Sequence, residues 1–261
     1  MRVPIFQLDA FTTRRFAGNP AAVVVLDHFS DDALLQAVAA ENNLAETAFL
    51  AFSEGRYRLR WFTPTVEVPL CGHATLAAGA VVLERLEPGR DSVTFDTASG
   101  PLTVDREGHA YRMDLPARTV STVAPSPSLS EALGVTPLET AIDGTNYLAL
   151  LSGADEVRSL APDLVAIARL DRIGVVVTAA GDGTYDFVSR YFAPAKGIPE
   201  DPVTGGAHCA LVPFWKARTG KDAFFAYQAS RRGGELNCRL LGDRVQLQGA
   251  CAFYLEGHIE I

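Results

Sequence analysis

The fold of this chain is decided by Trp61-Phe62-Thr63-Pro64 and by the Cys71-Gly72-His73-Ala74-Thr75 motif that follows it. The same pattern returns as Tyr191-Phe192-Ala193-Pro194 and Thr204-Gly205-Gly206-Ala207-His208. Each copy has an aromatic strand end, a proline turn and a glycine at the start of an apolar helix. Helix N-termini carry partial positive charge, so the two copies together predict one anion-binding cleft between two related lobes.

The duplication extends to the segments that precede these motifs. Asn19 comes before an apolar strand, and Asn146 comes before another. Each strand leads into a predicted amphipathic helix with acidic residues in its first turn, at 30–40 and 155–167. A second strand is then predicted in each half, at 47–52 and 173–178. A repeat of this length indicates duplication of a whole domain rather than a solenoid of short repeats.

Bulk composition excludes several classes of protein. The 261 residues approach the size at which a single core stops growing, so two lobes are expected. A formal net charge of -8 argues against nucleic acid or an anionic membrane as a partner. The sequence contains no apolar run near the ~20 residues that a membrane-spanning helix needs, and its first residues lack a signal-peptide core. These features predict a cytoplasmic protein.

The pattern of helices and turns predicts the arrangement of each lobe. One long helix per half, at 74–85 and 207–217, is apolar around most of its circumference and is therefore expected to be buried. The predicted fold class is α+β, with two pseudo-symmetric lobes, each a barrel-like antiparallel or mixed sheet around a central helix. The proline-rich stretch 124–128 is the expected linker. The predicted lobes are 1–124, completed by a C-terminal strand near 250–261, and 125–249.

Four motifs occur in order along the chain: Phe16-Ala17-Gly18-Asn19-Pro20-Ala21-Ala22-Val23, Glu41-Asn42-Asn43-Leu44-Ala45-Glu46-Thr47-Ala48-Phe49, Phe62-Thr63-Pro64 through Cys71-Gly72-His73-Ala74-Thr75, and Glu200-Asp201-Pro202-Val203-Thr204-Gly205. At these motifs the sequence resembles the PhzF-like, phenazine-biosynthesis isomerase family, which has the fold of diaminopimelate epimerase. The resemblance implies an active site between the lobes, with Glu46 as the acid/base and His73 and Asp201 as its partners. It also implies a cofactor-free enzyme and, often, a homodimer.

The residues around Glu46 agree with an acid/base role. Its neighbours in the chain are largely apolar, and burial among such groups favours a raised pKa, which suits a carboxyl group that accepts and returns a proton. The second half has no carboxylate at the matching place, where Ile173-Gly174-Val175-Val176 stands. The proton chemistry is therefore predicted to lie on one side only.

The other predicted site residues bind and orient the substrate. His73, in the first turn of its helix, is expected to be neutral because the helix dipole disfavours its cation. Asp201 precedes Pro202 and faces the substrate, caps the helix that follows, or does both; His208 faces either the cleft or the core. The predicted substrate-binding residues are Cys71, Gly72, Asn19, Thr204, Gly205 and Gly206, with backbone amides near the glycines holding a carboxylate.

Cysteine spacing gives no metal motif among the four cysteines, and no metal or cofactor is predicted. The sequence predicts an isomerase that moves a proton between carbons of a small carboxylate-bearing substrate. One alternative is a racemase or epimerase that uses Cys71, although its second thiol would fall near Thr204, and Cys209 lies about one turn further along. The other alternative is a catalytically silent protein that binds a small anion.

Overall fold

The computed structural model describes residues 1–261, which form two compact units. The first unit consists of Met1–Asp114 and Gln248–Ile261, and the second consists of Leu115–Leu247. Both units combine mixed sheets with a few helices, which confirms the predicted α+β class. None of the helices is both long enough and apolar enough to span a membrane.

The first unit contains nine strands and two helices. In chain order these are β1 (Arg2–Ala10), β2 (Asn19–Leu26), α1 (Asp32–Asn42), β3 (Glu46–Ser53), β4 (Arg56–Phe62), β5 (Glu67–Val68), α2 (Gly72–Val81), β6 (Ser92–Thr97), β7 (Gly100–Glu107), β8 (Ala110–Pro116), which ends just beyond the unit boundary, and β18 (Cys251–Glu260). Helix α2 continues into a π-helical turn at Val82–Leu86. The regular helix therefore ends before the predicted limit at residue 85.

The strands of the first unit pair in a mixed order around α2. Strand β1 is antiparallel to β2 and β18, β2 is parallel to β3, β3 is antiparallel to β4, and β4 is antiparallel to β5 and parallel to β6. Strand β7 is antiparallel to β6 and β8. Helix α2 contacts β1, β2, β3, β7 and β18, and every residue from His73 to Val81 is buried. A Cβ atom at Gly79 would lie 2.5 Å from Val104 Cγ1, so this helix needs glycine where it meets β7.

The second unit contains the strands β9 (Ser121–Val123), β10 (Glu139–Ile142), β11 (Asn146–Leu150), β12 (Gly174–Ala180), β13 (Phe187–Ala193), β14 (Ile198–Asp201), β15 (Ala223–Gln228), β16 (Gly234–Leu241) and β17 (Arg244–Gly249). Strand β17 ends just past the unit boundary. The helices are α3 (Pro127–Leu133), α4 (Ala154–Ser159), α5 (Leu164–Ile167) and α6 (Gly205–Thr219). A short 3₁₀ turn occupies Pro194–Lys196.

The strand pairing of the second unit repeats that of the first. Strand β10 is antiparallel to β9 and β11, β11 is parallel to β12, and β12 is antiparallel to β13. Strand β13 is antiparallel to β14 and parallel to β15, which is antiparallel to β16. Helix α6 supplies the buried aromatic Trp215, which stacks on Phe187 and donates a hydrogen bond to Thr178 Oγ1 over 3.1 Å. Both units therefore follow one plan, as the duplicated motifs predict.

The outer helices differ from the sequence prediction in two places. Pro162 interrupts the single helix expected at 155–167, because proline supplies no backbone N–H and disfavours a helical residue before it. The segment forms α4 and α5 instead, and Asp163 caps the second of them. The expected linker at 124–128 is partly helical, because Ser126 caps α3 and Pro127 occupies its first turn, where a missing N–H costs nothing.

Candidate active site

The end of α1 places Glu46 at the first position of β3. Asn43 adopts a left-handed conformation, with φ of 49°, and its N–H donates to the Ala39 carbonyl, which ends the helix. Three residues later the chain enters β3, where Glu46 pairs with Ala21 of the parallel strand β2. Its side chain is only 12% exposed, so this carboxyl group is largely shielded from solvent.

His73 lies in the first turn of α2 and faces Glu46. The distance from His73 Nε2 to Glu46 Oε2 is 3.2 Å. Burial lowers the pKa of His73 to about 3, and a hydrogen bond to the Pro20 carbonyl opposes that fall without cancelling it. The imidazole is therefore neutral, as expected, although burial rather than the helix dipole is the principal cause.

The other edge of the His73 ring contacts two more predicted site residues. Asn19 Nδ2 lies 3.1 Å from Nδ1, and Cys71 Sγ lies 3.5 Å from the same nitrogen. Asn19 is fully buried, and Cys71 is the N-cap residue of α2, directly before Gly72. The first unit thus brings Asn19, Glu46, Cys71, Gly72 and His73 together.

One ligand atom from each of Glu46, Cys71 and His73 lies within 4.8 Å of the others. The thiol, however, faces Nδ1 and the carboxylate faces Nε2, which are on different edges of the ring. An ion bound by one ring nitrogen would need both other ligands beside that nitrogen. The observed rotamers therefore do not form a coordination shell around one ring nitrogen.

The predicted site residues of the second unit form a separate network around Asp201. Asp201 pairs with Tyr191 at the end of β14 and is buried. The Thr204 hydroxyl donates to Asp201 Oδ2, while Gln228 donates to the Asp201 carbonyl over 2.7 Å and accepts from Thr204 N–H over 2.8 Å. Thr204, not Asp201, is the N-cap residue of α6, so the capping alternative for Asp201 is wrong.

Gly205 and Gly206 open α6, as predicted, and the structure adds a neighbour that sequence reasoning missed. A Cβ atom at Gly206 would lie 3.4 Å from Arg118 Nη2, so the guanidinium lies against the helix start. Arg118 also pairs with Asp143 over 3.1 Å. No sequence signal marked Arg118, because it stands outside both repeated motifs.

Tyr191 and Gln228 are further polar residues that the sequence did not mark as functional. The Tyr191 hydroxyl donates to Asn146 Oδ1 over 3.0 Å. Burial raises the pKa of Tyr191, and the nearby Asp201 carboxylate raises it further. A signal did exist for this pair, because Tyr191 opens the second aromatic motif and Asn146 is the counterpart of Asn19 in the repeat.

His208 is a core residue rather than a cleft residue. It is fully buried, its Nδ1–H donates to the Thr204 carbonyl over 2.9 Å, and its ring packs against Phe187. Burial lowers its pKa to about 4, partly opposed by that same hydrogen bond. Of the two positions that the sequence left open for His208, the cleft and the core, the structure shows the core.

Strand register shows what replaces Glu46 in the second unit. Thr47 pairs with Phe62, and Val175 pairs with Phe192, so aligning the two aromatic motifs puts Gly174 at the place of Glu46. A Cβ atom at Gly174 would lie 2.9 Å from the Tyr191 hydroxyl oxygen and 2.7 Å from the Phe192 carbonyl oxygen. The second unit therefore has no room for a carboxylate there, in agreement with the one-sided pattern of the sequence.

These features define a class: an α+β protein with a duplicated sheet-around-helix unit, one copy of which holds a largely shielded carboxylate next to a neutral imidazole. The chain belongs to the phenazine biosynthesis-like family, because the PhzC-PhzF family model matches residues 8–257. This confirms the family predicted from the four motifs.

Individual relatives match the chain over its full length. A Pseudomonas aeruginosa protein named as an uncharacterized isomerase is 46% identical over 261 residues, covering 100% of both chains. The crystal structure of a PhzF family protein from Enterococcus faecalis has a TM-score of 0.96 at 39% identity, again covering 100% of both chains. A predicted epimerase of P. aeruginosa has a TM-score of 0.77 at 23% identity over 99% of each chain, which shows the shared fold alone.

Proposed function

We propose that this protein is a cofactor-independent isomerase that moves a proton between two carbons of a small carboxylate-bearing substrate. The observation that carries the proposal is the close pair of the largely shielded Glu46 and the buried His73, with 3.2 Å between Oε2 and Nε2. A shielded carboxylate beside a neutral hydrogen-bonding ring suits a group that must take a proton and then return it. The isomerase names of the relatives support this reaction class.

In the proposed reaction Glu46 removes a proton from one substrate carbon, and the electrons of that C–H bond shift the adjacent double bond. The carboxylic acid then returns the proton to a second carbon on the same face. His73 and Asp201 orient the substrate, and Asn19 fixes the His73 ring. Amides near Gly72 and Gly205 bind the substrate carboxylate, because the first N–H groups of a helix have no partner within the helix.

A racemase or epimerase that uses Cys71 is the second candidate function. Its supporting observation is the position of Cys71 as the N-cap residue of α2, 3.5 Å from His73 Nδ1. A two-thiol mechanism would need a matching cysteine at the start of α6, where Thr204 stands instead. Cys209 lies within that helix and is buried, so the second thiol is misplaced. This makes the glutamate mechanism the better supported one.

The deciding experiment measures turnover of dihydro-hydroxyanthranilate, the substrate on which the family's named member acts, in deuterated water by NMR and mass spectrometry. Glu46→Gln should abolish turnover, because the amide keeps the shape of the side chain but cannot accept the proton. Cys71→Ser should retain measurable turnover. Loss in Cys71→Ser together with retention in Glu46→Gln would favour the racemase. Ligand binding with no turnover of any unsaturated cyclic carboxylate would favour the silent binding protein.

A further inference from the structure

Gln228 lies at the end of β15 and is fully buried, yet the proposed reaction gives it no task. Its Nε2 amide donates to the Asp201 carbonyl over 2.7 Å and to Thr204 Oγ1 over 3.2 Å. Its Oε1 accepts from the Thr204 N–H over 2.8 Å. One buried amide therefore binds both ends of the loop 201–204 that leads into α6.

The partners of this amide fix the direction of its hydrogen bonds. A backbone N–H can only donate and a carbonyl can only accept, so the Gln228 oxygen must face Thr204 N and its nitrogen must face the Asp201 carbonyl. Because Gln228 Nε2 donates to Thr204 Oγ1, the proton of that hydroxyl points to Asp201 Oδ2 instead. The chain of donors runs from Gln228 through Thr204 to the Asp201 carboxylate.

The first unit shows which residues occupy the equivalent places. Two matching motifs lead into the central helices, Glu67-Val68-Pro69-Leu70-Cys71-Gly72 and Glu200-Asp201-Pro202-Val203-Thr204-Gly205. Aligning them puts Val68 at the place of Asp201. The aligned aromatic motifs likewise make two strand pairs equivalent, Val188 with Tyr227 and Arg58 with Asp96. The residues that follow those partners, Gln228 and Thr97, are therefore counterparts.

Both units share an anchor on the proline carbonyl of this loop. Ser230 Oγ donates to the Pro202 carbonyl over 2.8 Å, and Ser99 Oγ donates to the Pro69 carbonyl over 2.7 Å. The loop forms in the first unit without a glutamine, because Thr97 stands at that place. The glutamine is thus present in the unit whose loop carries an aspartate, and both are replaced in the other unit.

We propose that Gln228 is a positioning residue that acts through Thr204 to hold the Asp201 carboxylate in the orientation that the reaction uses; the inference rests on the proposed function, in which Asp201 orients the substrate. A carboxylate side chain has more than one staggered rotamer, and a hydroxyl proton with a fixed direction selects one of them. The loop backbone keeps its serine anchor in both units, whereas the amide serves the aspartate side chain.

The first test needs no substrate: three-bond ¹³C–¹⁵N and ¹³C–¹³C couplings, measured by NMR, report the χ1 angle of Asp201. The expected wild-type result is one rotamer. Gln228→Thr, which installs the residue of the first unit, should give averaged couplings. The matched control Ser230→Ala removes another hydrogen bond to the same loop and should keep the single rotamer. One rotamer in Gln228→Thr, or averaged couplings in Ser230→Ala, would overturn the proposal.

The second test is a double-mutant cycle on kcat, with the unsaturated cyclic carboxylate that the wild type turns over. Gln228→Thr should lower kcat by about 10- to 100-fold, because a small misplacement of an orienting group has a cost of this size. In the Asp201→Val background the same change should cause no further loss, because Gln228 acts only through Asp201. The double variant carries the residue pair of the first unit, Val68 and Thr97, and is therefore expected to fold.

Independent losses of kcat in the two variants, which multiply in the double variant, would mean that Gln228 does not act through Asp201 and would overturn the proposal. Ser230→Ala should keep most of the turnover, because its hydrogen bond anchors the loop in the manner common to both units. The rotamer measurement does not depend on turnover, so failure of this inference and failure of the isomerase proposal can be told apart.

Discussion

The two units share one strand pairing but differ in the side chain at one equivalent position. In the first unit Glu46 stands at the start of β3 beside a neutral imidazole. At the matching place in the second unit Gly174 leaves space that the Tyr191 ring occupies. The duplicated fold therefore supplies two equivalent positions, but only one of them carries a group suited to moving a proton.

A second difference lies in how each unit treats its buried carboxylates. Burial raises the pKa of Asp143, but hydrogen bonds from Asn146 and Thr145, together with the Arg118 charge, outweigh burial and leave its pKa below the ordinary value. Asp143 is thereby fixed as an anion, which suits a structural role. Glu46 instead lies 3.2 Å from a neutral imidazole, so the two carboxylates differ in the charge of the group that faces them: a guanidinium for Asp143 and an uncharged ring for Glu46.

The largest expected effect tests whether the two carboxylates really differ in role. Glu46→Gln should lower kcat for the unsaturated cyclic carboxylate that the wild type turns over by at least about 100-fold, the usual loss when a general acid/base is removed. Asp143→Asn should keep most of the turnover and lose stability, because its hydrogen bonds hold backbone groups of Asn146 and Thr145. The exposed Glu41→Gln is the matched control. Equal losses of kcat in Glu46→Gln and Asp143→Asn would break the comparison.

The next largest effect is expected at Gly174, the counterpart of Glu46, and it tests whether a side chain larger than glycine fits there. Gly174→Ala should lower the free energy of unfolding by about 1–3 kcal/mol, because the new methyl group overpacks against Tyr191 and Phe192. Urea denaturation provides the measurement. Gly153→Ala is the control, since no atom lies within 4 Å of its added Cβ, and it should stay within about 0.5 kcal/mol of the wild type. A neutral Gly174→Ala would show that the second unit could have accommodated a side chain there.

The pH dependence of stability extends the comparison to the buried histidines. Each central helix buries one, His73 in α2 and His208 in α6. The pKa of His208 falls from 6.5 to about 4 on folding, so between these values the unfolded chain binds a proton that the folded chain does not. Its contribution to stability is complete above pH 6.5 and is lost as pH falls towards 4, at about 1.4 kcal/mol per pH unit.

The measurement is the free energy of unfolding from urea titrations at several pH values. His208→Gln should flatten the slope by about that amount, because the substituted side chain does not titrate. An unchanged slope in His208→Gln would mean that this ring titrates normally in the folded protein.

The smallest expected effect concerns the Tyr191 hydroxyl. Tyr191→Phe removes the donor to Asn146 Oδ1 and should lower the free energy of unfolding by about 1 kcal/mol, the usual net value of such a hydrogen bond. Thermal and urea unfolding would both report the change. A large loss of turnover in a Tyr191→Phe protein that remains folded would instead indicate that this phenol takes part in the reaction. The second unit would then also contribute a group to the chemistry.

The sequence alone determined the repeated plan of this protein and the family to which it belongs. The all-round apolar character of α2 and α6, the paired aromatic-proline turns and the position of Glu46 at the start of β3 are local patterns, which a short window of sequence contains. Pro162 was an equally local signal for the break between α4 and α5, and the prediction of one continuous helix overlooked it.

Only the tertiary structure decided which polar groups meet. Asn19 and His73 are 54 residues apart, and Tyr191 and Asn146 are 45 apart, yet each pair forms a hydrogen bond. Arg118 reaches the start of α6 although no motif marked it. Such partners depend on strand register and on which side of a helix packs inwards. The neighbouring residues in the sequence predict neither of these. The physical reason is that burial, which sets the charge of His73 and His208, is a property of the assembled core.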